Sequence, residues 1–251
     1  KRELRWYELF PMFSYLVLRG RCKTCKKGIS FQYPVVEMLC GIIFVAVPFY
    51  FGQFFNIGLV FPLRIELGSF YLFCFLWILV FLTLLLISVI DLRHYIIPNE
   101  LNVVIAVLGV LVVGLKMFFA PWMQPFSRFF VKNYSLLISP FEGLVLNHVL
   151  GAFAGGLFFL AIFMVTRGRA LGFGDVKLSA VLGILLGLPD VLIMIFFTYL
   201  FGGVVGMVII LMKKKTLKSM IPFAPFIVLG VFSVVFFGQK AIEVYFDLFG
   251  I

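Results

Sequence analysis

Six stretches of this chain, 35–52, 69–90, 101–120, 145–166, 191–212 and 221–238, are almost wholly apolar. A helix needs about 20 such residues to cross the ~30 Å hydrocarbon core of a bilayer, and each stretch is near that length. A seventh, 176–189, is apolar but shorter, and is counted as a further tilted or partly inserted helix. In lipid, backbone N–H and C=O groups must be satisfied within the protein, which leaves helices and closed barrels. The polar–apolar alternation of a membrane barrel does not occur in these stretches. The expected fold is an all-α membrane protein, a polytopic bundle of about seven transmembrane helices.

Composition agrees: 13% of the residues are charged, about half the ~25% of a soluble domain. The net charge of +10 raises nucleic acid as a partner. A nucleic-acid-binding protein gathers its basic residues on one folded, solvated face, whereas these lie in short loops between apolar runs. The reading is a lipid bilayer as partner and no nucleic acid. Loops 1–34, 91–100, 167–175 and 213–220 hold 8, 1, 2 and 4 Lys and Arg, 15 in all, against 4 in the opposite loops. The positive-inside rule puts the first set in the cytoplasm, with Lys213, Lys214, Lys215 and Lys218 as a topology anchor. Loop 121–144, with Trp122 and Tyr134, suits a membrane interface. Two regions follow: a basic cytoplasmic segment, 1–34, and a transmembrane domain, 35–251.

The chain has four aspartates, Asp91, Asp175, Asp190 and Asp247. Asp91 closes the stretch 69–90 and Asp175 opens 176–189, so this topology puts both at cytoplasmic helix ends, at similar depth. Ionisable groups there are costly and usually functional, although either alone also reads as a helix cap or a solvated end. Asp190, in Gly187-Leu188-Pro189-Asp190, reads as a cap, and Asp247 as solvated. Gly172 and Gly174 flank Phe173 without side chains. A second backbone, such as a substrate strand, can then approach closely, or two helices can pack tightly. Two carboxylates brought together do not both ionise easily. One then activates water while the other, protonated, donates to a carbonyl oxygen, which hydrolyses a peptide bond.

Rival chemistries lack their residues. A zinc protease helix needs His-Glu-x-x-His, but the two histidines, His94 and His148, fall on opposite sides. No Gly-x-Ser-x-Gly elbow and no Walker or dinucleotide glycine motif occurs. Cys22 and Cys25 have the spacing of half a zinc site, while Cys40 and Cys74 lie in the apolar stretches. A transporter relaying protons through Asp91 and Asp175 calls for acidic groups near mid-bilayer.

Gly172-Phe173-Gly174-Asp175-Val176-Lys177-Leu178 resembles the G-x-G-D-x-K-L motif of the bacterial type IV prepilin peptidases, GxGD intramembrane aspartyl proteases. Asp91-Leu92-Arg93-His94-Tyr95-Ile96-Ile97-Pro98-Asn99 is similar to that family's aspartate followed by Ile-Pro-Asp/Asn. Leu18-Arg19-Gly20-Arg21-Cys22 with Cys25, Tyr33-Pro34-Val35-Val36-Glu37 and Ile221-Pro222-Phe223-Ala224-Pro225-Phe226 follow in family order. The resemblance spans about residues 4–226. It implies that Asp91 and Asp175 are the catalytic pair, with Gly172, Gly174 and Lys177 beside the substrate. Lys177 either tunes a carboxylate or snorkels to the interface. The implied partners are prepilins or pseudopilins, whose basic leader is cut at the cytoplasmic face of the bacterial inner membrane. The implied peptidase needs no cofactor. The family's N-terminal span and first Cys-x-x-Cys would stand before Lys1, which leaves a zinc site at Cys22 and Cys25 incomplete. S-adenosylmethionine-dependent methyl transfer is not expected of this segment. Ala224 stands where glycine is common, and Arg169 where many members are acidic. Presenilin-like and signal-peptide-peptidase-like proteases share G-x-G-D but pair it with Tyr-Asp and Pro-Ala-Leu. Here Ile90 precedes Asp91, and no Pro-Ala-Leu occurs.

Overall fold

The computed structural model describes residues 12–54, 64–119, 129–139, 143–212 and 221–250. Lys213, Lys214, Lys215, Lys218, Trp122 and residues 4–7 lie outside them. The chain divides into two units, Lys1–Val60 and Phe61–Ile251. In the first, the short α1 (Phe13–Val17) leads through a loop to α2 (Gln32–Phe54). The loop is closed by an isolated antiparallel bridge between Arg21 and Gly28.

The second unit contains α3 (Arg64–His94), α4 (Asn99–Phe119), a 3-10 turn (Lys132–Tyr134) running into α5 (Ser135–Ile138), α6 (Leu144–Thr166), α7 (Phe173–Leu186), α8 (Leu188–Leu211) and α9 (Ala224–Phe249). Among the described residues, six helices are long and apolar enough to cross a membrane: α2, α3, α4, α6, α8 and α9. This is a multi-pass membrane protein with an all-α bundle. The last helix runs well past the apolar stretch 221–238, because Gln239 bonds to Glu243 one turn on and the polar residues there continue the helix.

The expected seventh span is corrected. Helix α7 has 14 residues and rises about 21 Å, too little to cross ~30 Å of hydrocarbon. It is instead a core element: Leu178, Leu182, Leu185 and Leu186 are fully buried. On one side it lies antiparallel to α6, in register, with Gly151 against Gly183 and Gly187, and Gly155 against Ser179. A Cβ at Gly183 would overlap the backbone carbonyl of Gly151, and one at Gly155 would fall 2.6 Å from the carbonyl oxygen of Ser179. The helices touch backbone to backbone, which only residues without a side chain permit. On the other side Gly109 of α4 meets Leu185. A single residue, Gly187, links α7 to α8 at φ 92°, a region disfavoured for any residue with a Cβ.

The far end of α7, beside this turn, is sealed by the segment 129–139. Tyr134, expected at an interface, stacks on Phe246 of α9 at 5.3 Å. Asp190, expected as a helix cap, makes no side-chain cap to α8. Its carboxylate accepts the backbone N–H of Phe130 at 3.0 Å and of Val131 at 3.1 Å. The segment folds back over the start of α8, and its buried amides take the acid as their acceptor. Lys116, also buried, has its ammonium 5.4 Å from the Phe130 ring centroid and interacts electrostatically with Asp190. Asp190→Asn keeps one acceptor oxygen and loses the other. The expected cost is about 2 kcal/mol, read as a lower thermal unfolding temperature in detergent.

Candidate active site

Asp91 and Asp175 sit at the opposite end of α7 from Asp190, and each is held at the beginning of a helix. Asp91 lies in the last turn of α3. The chain then turns at Tyr95, whose N–H donates to the Asp91 carbonyl at 2.9 Å and whose φ is 56°, and Pro98 and Asn99 start α4. The Asp91 side chain is 6% exposed, and its Oδ2 accepts the N–H of Ala224 at 3.0 Å. Ala224 is the first residue of α9. The first N–H groups of a helix have no partner within it, and the helix dipole favours an anion there.

Asp175 is the third residue of α7 and is also 6% exposed. Its Oδ2 reaches back to accept the Gly172 N–H at 3.0 Å, as an acid at this position does in a capping box. Its Oδ1 is buried with no hydrogen-bond partner among the described residues. The two carboxylates, 84 positions apart in sequence, interact electrostatically. A neighbouring acid disfavours the charged form of a carboxylate. Each has one oxygen on a backbone amide.

The elements around the pair are locked to one another. A Cβ on Gly174 would lie 3.1 Å from Cβ of Ile97, so Ile97 of the Asp91–Asn99 stretch occupies the space a side chain at 174 would need. Lys177 donates to Oδ1 of Asn99 at 2.9 Å, and its ammonium lies 5.2 Å from the Phe173 ring centroid. Gly172 is exposed, and a Cβ there would stand 3.3 Å from Oδ2 of Asp175. The three sequence stretches around Asp91, Asp175 and Ala224 thus meet at one place. Sequence reasoning singled out all three but not the bonds that join them.

In the first unit, Cys22 and Cys25 stand in the loop closed by the Arg21–Gly28 bridge, with Cys22 N–H donating to Lys27 O at 2.9 Å. They supply two of the four donors that a structural zinc takes. Among the described residues no group of three or more His, Cys, Asp or Glu could hold a metal ion.

Residues 77–207, which carry both aspartates, match the Type IV leader peptidase family. The chain belongs to this family. Residues 1–51 match the bacterial Peptidase A24 N-terminal domain. Relatives named prepilin leader peptidase/N-methyltransferase include that of Bacillus subtilis, 30% identical over 98% of this chain and 82% of the relative. That of Xanthomonas campestris pv. campestris is 28% identical over 99% of this chain and 74% of the relative. No solved structure matches the chain. Membership in the leader peptidase family gives the two helix-start carboxylates a peptidase context.

Proposed function

We propose that this chain is a membrane aspartyl endopeptidase that removes the basic leader of type IV prepilins or pseudopilins. In this reading Asp91 and Asp175 share a proton. The ionised member takes a proton from water, whose oxygen attacks the scissile carbonyl carbon, while the protonated member donates to the carbonyl oxygen. The tetrahedral intermediate collapses with cleavage of the C–N bond, and a proton passes to the leaving amine. What supports the reading is the placement of the two acids. Two buried acids from distant segments interact electrostatically, and each is fixed by backbone N–H groups at a helix start.

The substrate class comes from the relatives' name, prepilin leader peptidase. The cytoplasmic face of the inner membrane comes from the basic loops, since residues 91–100 and 167–175 lie on the lysine- and arginine-rich side. Gly172, exposed beside Asp175, is the backbone position against which an extended substrate would lie. Lys177 is exposed at the rim and assigned to the same surface. No cofactor enters the hydrolysis as written.

The reading is tested by co-expressing the chain with a prepilin-like protein and scoring leader removal by mass spectrometry. Cleavage at the leader boundary is expected. An intact substrate beside correctly inserted enzyme would refute the assignment.

A further inference from the structure

Tyr199, on α8, carries a hydroxyl that is buried and has no hydrogen-bond partner among the described residues. Leaving such a group unpaired costs about 1–3 kcal/mol, and phenols in a buried place usually find a partner. Its surroundings are those of the active site. It interacts electrostatically with Asp175, whose Oδ1 is also buried without a hydrogen-bond partner among the described residues. The Tyr199 ring lies 5.5 Å from that of Phe223, the residue before Ala224, whose backbone N–H donates to Asp91. Phe158 and Phe159 of α6 pack on the same ring at 5.7 and 5.9 Å. Tyr199 thus stands where the supports of both carboxylates converge, held by three aromatic contacts that do not involve its hydroxyl.

The two acids are rich in acceptors. Peptide hydrolysis also builds negative charge on the carbonyl oxygen, and a fixed donor aimed at that charge is a large contributor to rate. A phenol keeps its proton at neutral pH and donates without being consumed. From the geometry we infer that Tyr199 is a third catalytic residue, whose hydroxyl donates a hydrogen bond to the scissile carbonyl oxygen as it becomes an oxyanion. This rests on the peptidase reading above. The donation adds no proton to the balance: water still loses its proton to a carboxylate, and the amine still gains one.

Tyr199→Phe deletes the hydroxyl and keeps the ring that Phe158, Phe159 and Phe223 hold. With the full chain in detergent, and a synthetic peptide of basic leader plus apolar segment, kcat is expected to fall about 10²-fold, the effect of losing one oxyanion donor. KM should change less than about threefold and the unfolding temperature should not drop, since no made hydrogen bond is lost. A second measurement uses the same peptide with a hydroxyethylene group in place of the scissile bond. Tyr199→Phe should bind this tetrahedral mimic more weakly while binding the substrate peptide as before. A variant with parental kcat and parental affinity for the mimic overturns the role of Tyr199 and leaves the peptidase reading intact. Equal losses in substrate and mimic binding also overturn it, as a merely structural effect. A parent that never cleaves overturns the peptidase reading, and this inference with it.

Discussion

Asp175→Asn is expected to slow leader cleavage by about 10³-fold or more, the upper range for losing an acid–base group, with little change in thermal unfolding. The two outcomes separate because the carboxylate has two jobs. Oδ2 accepts the Gly172 N–H and secures the start of α7, and an amide oxygen can do the same. The amide cannot share a proton with Asp91 or deprotonate water. Asp91→Asn should behave likewise, since its contact with the Ala224 N–H also needs only an acceptor. Asp247→Asn, on an exposed position of α9, is the control and should cleave at the parental rate. Cleavage by either dyad variant within about tenfold of the parent would remove the two-acid mechanism.

The largest expected loss of stability is elsewhere, at Gly183→Leu. A side chain there meets the backbone carbonyl of Gly151, which cannot swing aside as the tip of a flexible side chain would. Helices α6 and α7 would have to separate along their glycine contact, costing about 3 kcal/mol or more, the upper end of overpacking effects. The unfolding temperature in detergent measures this. A variant as stable as the parent would show that α6 and α7 do not pack in this register. Because α7 begins at the active site, separation should also displace Asp175 and depress cleavage.

The helices and the membrane setting were legible because lipid imposes a demand visible in single segments: long apolar runs with charges only at their ends. The catalytic candidates were legible because charge is rare in such a chain, so four aspartates could be weighed one by one. Their bonding was less so. Asp190 looked like a cap because proline precedes it at a turn, yet its partners are the amides of Phe130 and Val131, 60 and 59 positions away. The depth of 176–189 was ambiguous because hydropathy alone does not separate a helix buried in protein from one facing lipid. Gly183 and Leu186 at its far end belong to the former. Tyr199 was invisible for a related reason: among so many aromatic residues, one hydroxyl stands out only once its neighbours are known.

Each acid of the proposed pair has one oxygen built into the fold, and this limits what could replace it over evolution. Glutamate offers the same carboxyl group on a longer arm. From position 175 glutamate still reaches the Gly172 amide but moves its free oxygen from the place Oδ1 holds, and from position 91 it would meet the start of α9 too early. The usual exchange between the two acidic residues is therefore closed at both sites. A lineage could abandon the reaction by a single change to asparagine and keep the fold, but it could not drift gradually from one working acid to the other.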